Sequence, residues 1–412
     1  MRIAVIGGGP AGLAAALEAQ KCGAEAVVFD RLAHPGGILN QCIHSGFGLR
    51  LYGEEWTGPE FAERILSEAL DAGVLVRSET EVVEVTRDRL LTVRGEKEET
   101  FRADAVVFAN GCWERNRGLL PGTRPSGIFS AGEAQAWVNL HGFLPGKRVL
   151  ILGSGDIGLI MARRMHYQGA EVLGVAEIGP FVSGNTRNQI QCLEENGIPL
   201  WLEHSAVRVH GTERLEGVTL ARFSEGKPVS GTERFVSCDT LLLSVGLVPE
   251  VELAAEVGIQ LDPVTGGAIV DQRRATSLEG FYACGNALHV HDLVDNVVLE
   301  SRIAGKSAAE DWLRKEAKEI KKTKKTKKVR IEGNVRYVVP QVLSPGEAPL
   351  SFYLRVSHPT ASEAMLSLLA DGEVVLEKRS VFKPGEMVEI HLNRAQSARV
   401  LAAKEVLVRC EG

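Results

Sequence analysis

The chain opens with Arg2-Ile3-Ala4-Val5-Ile6-Gly7-Gly8-Gly9-Pro10-Ala11-Gly12, an apolar run that leads into a Gly-rich loop. The same pattern returns at Arg148-Val149-Leu150-Ile151-Leu152-Gly153-Ser154-Gly155-Asp156-Ile157-Gly158. Such a run predicts a buried parallel strand followed by a helix. The first glycine permits the turn, the second lets the backbone approach a pyrophosphate, and the third lets the helix pack against the strand. Two such loops predict a protein that holds two dinucleotides and passes electrons between them.

An acidic residue follows each loop at the distance that a dinucleotide site requires. Asp30 ends the predicted strand after the first helix, eighteen residues beyond Gly12, and Glu177 ends the equivalent strand, nineteen residues beyond Gly158. A carboxylate at this position accepts a hydrogen bond from the ribose 2′-OH and repels a 2′-phosphate. We therefore expect the second site to prefer NAD(H) to NADP(H).

The composition excludes several classes of protein. With 44% hydrophobic and 24% charged residues, the chain has the balance of a soluble globular protein, and its net charge of −6 gives no argument for a nucleic-acid partner. No apolar stretch approaches the roughly 20 residues of a transmembrane helix. Because a strand is predicted to start at Arg2, we expect no signal peptide. The seven cysteines are scattered, which predicts neither a metal site nor an iron–sulfur cluster and indicates a reducing, cytoplasmic location.

The predicted fold class is α/β, with two Rossmann-like dinucleotide-binding domains, the first of them discontinuous, and a small C-terminal all-β sandwich. Short strands at close spacing and the turn signal Asp371-Gly372 indicate the sandwich. The expected domains are 1–121 with 255–316 for the first dinucleotide-binding domain, 122–254 for the second, a Lys-rich linker or helix end at 317–330, and 331–412 for the β domain. The six lysines of 321–328 suit a solvated linker, or a docking strip for an acidic partner or an anionic membrane surface.

The order of motifs resembles the thioredoxin-reductase-like group of FAD- and pyridine-nucleotide-dependent oxidoreductases over residues 1–315. The resemblance rests on the two Gly loops with their acids and on five further segments. These are Gly36-Gly37, Thr57-Gly58-Pro59-Glu60, Ala109-Asn110-Gly111, Ser244 to Pro249, and Gly280 to Asn286. It implies that the first domain binds FAD, that the second binds NAD(H), and that the nicotinamide reaches the flavin.

The resemblance also implies a set of cofactor-binding residues. For FAD they are Gly7, Gly9, Pro10, Ala11, Gly12, Asp30, Gly37, Asn40, Val83, Ala109, Asn110, Gly111, Gly285, Asn286, Asn296, Val297 and Val298. For NAD(H) they are Gly153, Gly155, Asp156, Ile157, Gly158, Glu177 and Gly246. Asn286 stands where the family usually has aspartate, and its amide still accepts and donates hydrogen bonds. The helix that begins near Asn296 would direct its N–H groups at flavin N1 and O2. Asn185 and Arg187 either contact NAD phosphates or are ordinary polar loop residues.

The cysteines depart from the family pattern. Disulfide reductases of this superfamily carry a cysteine pair beside the flavin, whereas Cys42 stands alone after Gly36-Gly37, and Cys192 and Cys238 of the NAD domain are far apart. A dithiol relay needs two thiols within disulfide reach. The catalytic candidates are therefore Cys42, either a redox thiol or a small packed residue, and His44, either a proton-exchanging imidazole or a loop histidine.

A narrower resemblance concerns the electron partner. The 36–44 segment, the Thr-Gly-Pro-Glu segment and the β-rich tail are similar to flavoproteins that accompany a bacterial FAD-dependent glycerol-3-phosphate dehydrogenase and a small cysteine-rich protein. Wider kin include subunits of opine and amino-acid dehydrogenases and of cyanide synthases. The resemblance implies an NADH-linked subunit of a homo- or hetero-oligomer that exchanges electrons with a partner. The alternatives are a stand-alone NADH oxidase or peroxidase that uses Cys42, and a flavin-bearing structural subunit. The β domain would serve in dimerisation or in partner binding.

Overall fold

The chain folds into two compact units, which are described separately. The computed structural model describes residues 1–116, 120–316, 326–346 and 349–411. One unit contains Met1–Cys112 and Pro249–Gly412, and the other contains Trp113–Val248. The second unit is thus inserted into the first, and its ends come before the expected boundaries at residues 121 and 254.

The first unit begins with a strand–helix alternation and a small antiparallel meander. Its elements up to residue 108 are β1 (Arg2–Ile6), α1 (Pro10–Lys21), β2 (Glu25–Phe29), β3 (Ser45–Phe47), α2 (Leu49–Tyr52), β4 (Trp56–Thr57), α3 (Gly58–Asp71), β5 (Leu75–Arg77), β6 (Glu81–Val85), β7 (Leu90–Arg94), β8 (Glu98–Arg102) and β9 (Ala105–Phe108).

The inserted segment repeats the alternation. Its elements, with the strands at its two ends, are β10 (Cys112–Glu114), β11 (Ile128–Ser130), α4 (Ala131–Asn139), β12 (Arg148–Leu152), α5 (Asp156–Tyr167), β13 (Glu171–Glu177), α6 (Thr186–Cys192), β14 (Leu200–Leu202), β15 (His204–His210), β16 (Gly217–Ser224), β17 (Lys227–Pro228), β18 (Arg234–Val236), β19 (Thr240–Leu243) and β20 (Leu247–Pro249).

The rest of the chain returns to the first unit and adds a sheet-rich domain. Its elements are α7 (Glu252–Glu256), β21 (Phe281–Ala283), α8 (Val294–Glu316), β22 (Lys327–Gly333), β23 (Val335–Val339), β24 (Val342–Leu343), β25 (Ser351–Val356), β26 (Ala364–Ala370), β27 (Glu373–Ser380), β28 (Val388–His391), α9 (Arg394–Ala402) and β29 (Val406–Glu411).

Each nucleotide-type domain is built on a five-stranded parallel sheet. The strand order is β21-β9-β1-β2-β5 in the first unit and β11-β19-β12-β13-β14 in the second. Both orders place the Gly-loop strand in the middle, β1 between β9 and β2 and β12 between β19 and β13. Because parallel strands all end on one edge, the loops that follow them meet there, as expected for a ligand crevice. This confirms the predicted Rossmann-like fold class.

Close helix packing supports the first sheet. α1 is rich in alanine, and a Cβ added at Gly305 of α8 would lie 1.9 Å from the carbonyl oxygen of Ala15. Only glycine permits this approach of the two helices, which lets α8 pack against α1 over the sheet. The start of α8 is thereby fixed relative to the first Gly loop.

The C-terminal domain is a sandwich of two sheets, β24-β22-β29-β26-β27 and β23-β25-β28. Side chains of both sheets form one core that includes Phe352, Leu366 and Val408. The predicted turn at Asp371-Gly372 joins β26 to β27, and both residues have positive φ, 51° and 82°, as a type I′ hairpin turn requires.

The domain differs from the expected all-β tail in two ways. It contains α9, which Asn393 and Gln396 cap reciprocally in a capping box whose residue pattern is visible in the sequence. It also begins with β22 at Lys327, so the last residues of the expected linker lie in a strand. Residues 317–325, which include most of the lysine block, lie outside the described residues. Among the described helices, none is long and apolar enough to cross a membrane.

Candidate functional site

The first Gly loop connects β1 to α1, and two of its glycines are required by the fold. Gly7 has a φ of 104°, and a Cβ on Gly12 would lie only 1.8 Å from the carbonyl oxygen of Gly7. Gly9 differs from both, because a Cβ there would meet only Gly37 Cα, at 3.9 Å. Gly9 precedes α1 without a side-chain cap, and Pro10 occupies the first turn of the helix. This open, uncapped helix N-terminus suits a pyrophosphate.

Asp30 lies at the end of β2, beside the loop. It is 6% exposed. Its Oδ2 accepts a hydrogen bond from the backbone N–H of Gly8 at 2.7 Å, and its Oδ1 accepts one from the N–H of Leu32 at 2.8 Å. These backbone donors fix the carboxylate at the sheet edge, in the position that a ribose hydroxyl needs.

The loops after β9 and β21 reach the same edge of this sheet. Asn110 donates from Nδ2 to the carbonyl oxygen of Glu250 at 2.8 Å, while its Oδ1 is buried without a hydrogen-bond partner. Asn286 accepts the N–H of His291 at 3.0 Å, and Gly285 has a φ of 64°. An orphaned buried acceptor requires an explanation, and a bound ligand supplies one. The residues present therefore fit FAD at this edge.

The segment after Gly36 contains the predicted catalytic residues. Gly37 begins a 3-10 turn, Gly37–Gln41, and Asn40 donates from Nδ2 to the carbonyl oxygens of His34 and Pro35 at 3.2 and 3.1 Å. The Nδ1 of His44 lies 2.9 Å from the carbonyl oxygen of Ser45, and its ring lies 5.1 Å from that of Phe47.

Cys42 has the surroundings of a packed residue. Its thiol donates to the carbonyl oxygen of Ile38 at 3.3 Å, and a Cβ on Gly58 would lie 2.8 Å from its own Cβ. Burial raises the pKa of Cys42 to about 12. Reactive cysteines have a lowered pKa, since the thiolate is the nucleophile. These surroundings favour the packing alternative over the redox-thiol alternative.

The start of α8 differs in detail from the expected flavin contact. The N–H groups of Asn296 and Val297 bond to the carbonyl oxygen of Leu293, at 3.1 and 3.4 Å. The side chains of Val297 and Val298 are buried in the core of the first domain. What this helix would present to a flavin is therefore its positive end, rather than those two N–H groups. Val83, a further predicted FAD contact, lies at a register shift of β6 against β7.

The second Gly loop, between β12 and α5, repeats the geometry of the first. Gly153 has a φ of 90°, and a Cβ on it would lie 2.1 Å from the carbonyl oxygen of Ser244. A Cβ on Gly158 would lie 2.7 Å from the carbonyl oxygen of Gly153, whereas one on Gly155 would lie 3.1 Å from Ser244 Oγ. Ile157 packs against the core of this unit, and Gly246, with a φ of 105°, follows β19.

The polar residues of this second loop are held by a neighbouring segment. Asp156 accepts the N–H of Asn185 at 2.8 Å and the Nδ2 of Asn188 at 2.7 Å. Asn185 caps α6 by accepting the N–H of Arg187 at 2.8 Å. Asn185 thus has a structural partner, and α6 begins beside the Gly loop.

Glu177 is 5% exposed, and its carboxylate oxygens accept hydrogen bonds from serine and backbone groups. Its Oε2 accepts from the N–H and Oγ of Ser154, at 2.9 and 2.5 Å, and from the Oγ of Ser183 at 2.9 Å. Its Oε1 accepts the N–H of Gly179 at 2.9 Å. A ribose hydroxyl would have to replace one of the serine donors. The carboxylate nevertheless lies at the strand end, where an NAD-type site places it.

A buried polar cluster under the first site was not predicted. Glu300 of α8 is 0% exposed, and its Oε1 accepts from Arg274 Nε and His289 Nε2, both at 3.0 Å. Its Oε2 accepts from His291 Nε2 at 2.9 Å and from the N–H of Gly285 at 3.1 Å. One carboxylate thus holds both histidines and the predicted FAD-binding loop. The sequence signal was the His-x-His pattern just after Asn286.

Within this cluster, Arg274 supplies a cation against the Glu300 carboxylate, 3.0 Å away. Burial alone would raise the pKa of Glu300, but its partners His289, His291 and Arg274 hold it well below its usual range. Burial lowers the pKa of His289 to about 4, so that this imidazole is neutral. Three of these side chains could form a metal site. However, Arg274 already neutralises the carboxylate, and neither histidine Nδ1 has a hydrogen-bond partner. Metal-bound histidines usually donate from that second nitrogen, so the donor set suits a buried ion pair.

The fold and the two Gly loops define a class, the oxidoreductases that use FAD and a pyridine nucleotide. The family model for pyridine nucleotide-disulphide oxidoreductases matches residues 1–334, and the chain belongs to this family. The structure is similar to thioredoxin reductase of T. acidophilum, with a TM-score of 0.63 at 21% identity, over 76% of this chain and 98% of that one.

Among curated relatives, the chain is similar to components of larger oxidoreductases. It is 27% identical to hydrogen cyanide synthase subunit HcnB of Pseudomonas aeruginosa, over 63% of this chain and 60% of the relative. It is 26% identical to one of the subunits of opine oxidase from Rhizobium meliloti, over 75% and 60%. It is 28% identical to the glutamate synthase [NADPH] small chain of Escherichia coli, over 76% and 68%. The match thus spans less than two thirds of the length of the first two relatives.

Gly9→Ala should separate cofactor binding from folding. Gly9 has a φ of −74°, which alanine adopts, and its Cβ would enter the space proposed for the pyrophosphate. We expect the apo-protein to keep its unfolding free energy within about 0.5 kcal/mol, while FAD affinity, measured by titration, falls at least about tenfold. Gly12→Ala is the comparison and should destabilise the apo-protein by about 1–3 kcal/mol. Wild-type FAD affinity in Gly9→Ala would contradict the site.

Cys42 variants should distinguish packing from redox chemistry. Cys42→Ala keeps the side chain small, and we expect NADH oxidation with oxygen or peroxide to stay within about twofold of wild type, since a neutral thiol contributes no nucleophile. Cys42→Leu should lower the unfolding free energy by about 1–3 kcal/mol, because a larger side chain must displace neighbours that already pack against Cys42, such as Gly58 and the carbonyl oxygen of Ile38. Loss of turnover in a well-folded Cys42→Ala would instead support the oxidase alternative.

Proposed function

We propose that this protein transfers a hydride between NAD(H), held by the second Gly loop, and FAD, held by the first, and exchanges the electrons with a partner protein. The observation that carries the proposal is the duplicated geometry. Each parallel sheet has a glycine loop at its central strand and a buried carboxylate, Asp30 or Glu177, at the end of the next strand.

The residues of the chain bind and orient the cofactors. The start of α1 would hold the FAD pyrophosphate above Gly9, Asp30 would hold the adenosine ribose, and Asn110 would offer its unpaired Oδ1. The bound cofactors supply hydride chemistry between nicotinamide C4 and flavin N5. The positive end of α8 would stabilise the negative charge of a reduced flavin.

A direct flavin route, without a dithiol relay, is supported by the cysteines. No disulfide joins any two of the seven cysteines, all of which lie within the described residues. Burial raises the pKa of Cys42 and Cys238 to about 12 and also raises the pKa of Cys192. A thiol relay requires an accessible thiolate, and these surroundings disfavour one.

A protein partner is supported by the names of the relatives, several of which are subunits or chains of larger oxidoreductases. In our proposal the partner acts on the organic substrate in the cytoplasm. The narrower resemblance gives that partner as a glycerol-3-phosphate dehydrogenase-like flavoprotein, together with a small cysteine-rich protein. None of these three relatives bears either name, so this assignment stays a prediction.

Anaerobic stopped-flow reduction of the FAD-loaded protein tests the proposal. We expect NADH to bleach the flavin at least about tenfold faster than NADPH, because Glu177 would repel a 2′-phosphate. Gly155→Ala, which touches only the second loop, should slow this bleaching without changing the FAD content. Failure of both nucleotides to reduce the flavin would contradict the hydride-transfer proposal and favour the alternative of a flavin-bearing structural protein.

A further inference from the structure

The sheet β23-β25-β28 of the C-terminal domain is buried on both faces. On β25, Phe352 and Leu354 point into the sandwich core, and Tyr353, between them, is 1% exposed on the other face. The Tyr353 ring lies 5.7 and 5.4 Å from the rings of His289 and His291. Because side chains alternate along a strand, the second face of this sheet packs on the domain that carries the first Gly loop.

The neighbouring strand β28 follows the same alternation. Val388 and Ile390 belong to the sandwich core, so Glu389 lies on the opposite face with Tyr353. The carboxylate of Glu389 accepts from Arg50 NH1 at 2.8 and 2.9 Å and from Asn296 Nδ2 at 2.6 Å. Glu389 therefore reaches from the C-terminal domain to the first turn of α8.

Asn296 is held from both sides. Its Nδ2 donates to Glu389, while its Oδ1 accepts from Arg50 NH1 at 2.7 Å. A carboxylate accepts only and a guanidinium donates only, so the two partners permit a single orientation of the amide. Arg50 is itself fixed at its backbone, since its N–H donates to Asp295 Oδ1 at 3.0 Å. The three side chains form a closed triangle at the start of α8.

Charge makes this triangle relevant to the electron-transfer step. Burial alone would raise the pKa of Glu389, but hydrogen bonds from His391, Arg50 and Asn296 lower it to about 2, so the group is an anion. The Glu389 side chain is 16% exposed, and solvent therefore screens its charge only in part. An anion and a cation are thus fixed at the helix end that the proposed function assigns to the flavin.

We propose that Glu389 is a positioning residue for the flavin, acting through Arg50 and Asn296, so that the C-terminal domain completes the flavin site of the same chain. This inference rests on the proposed function, which places a flavin at the start of α8. It assigns the domain a role in tuning the flavin, beyond docking or dimerisation.

The test compares Glu389→Gln, Arg50→Gln and the matched control Glu373→Gln in the full-length FAD-loaded protein. Glu373 also pairs with an arginine of the same domain, Arg399, but its side chain is 79% exposed. The readout is the flavin midpoint potential at fixed pH. Removal of the anion should raise the ratio of reduced to oxidised flavin at a fixed potential by about fivefold, and removal of the cation should lower it by a similar factor. The control should match wild type.

Two further results would overturn the inference. If Glu389→Gln and Arg50→Gln both keep the wild-type potential, or if both only reduce FAD occupancy, the triangle has no tuning role. FAD titration of each variant separates a loss of FAD binding from a change in potential. Arg50→Lys, which keeps the charge, should restore most of the shift that Arg50→Gln causes. If NADH reduces the wild-type protein while both variants match the control, the tuning role is overturned and the proposed function stands. A wild-type protein that binds no FAD overturns both.

Discussion

The fold of the first unit depends on one buried carboxylate. Glu300 lies on α8 with no exposed surface, and four donors, from Arg274, His289, His291 and Gly285, fill its two oxygens. Removal of one partner from such a network leaves an uncompensated buried charge, at a cost of about 3–5 kcal/mol. The network joins the loop after β21 to α8, and Gly305 lets α8 pack against α1. The loop, the helix and the first Gly loop are therefore fixed as one assembly.

The parts of the fold that depend on local signals could be predicted from the sequence. Apolar runs before Gly7 and Gly153 predicted the central strands, and the Asp371-Gly372 turn predicted the β26–β27 hairpin. The Glu300 network could not be predicted, because its members are spread from residue 274 to residue 300 and meet only when β21 and α8 pack together. Helix α9 was missed although its Asn393–Gln396 capping box is a local signal.

The burial of the C-terminal sheet could not be predicted from its strand pattern alone. A sandwich with one solvated face should alternate apolar and polar residues, whereas β25 reads Ser-Phe-Tyr-Leu-Arg-Val and is buried almost throughout. Tyr353 packs beside the histidines, and Arg355 donates to Asp292 of the first domain. The unbroken burial of this strand indicates a domain that has two packing partners, its own second sheet and the nucleotide-type domain. The lysine-rich sequence at 317–330, which was expected to be a linker or a helix end, contained no signal that predicted this packing.

We propose that hydride passes directly from a nicotinamide, bound at the second Gly loop, to a flavin, bound at the first. NADH with deuterium at one or the other C4 position tests it most directly, through the rate of anaerobic flavin bleaching. A fixed nicotinamide presents one face to the flavin, so the account predicts a primary isotope effect with one labelled form and almost none with the other. Bleaching that is insensitive to both labels would show that breaking the C4–H bond is not the step observed. Absence of bleaching would contradict the account outright.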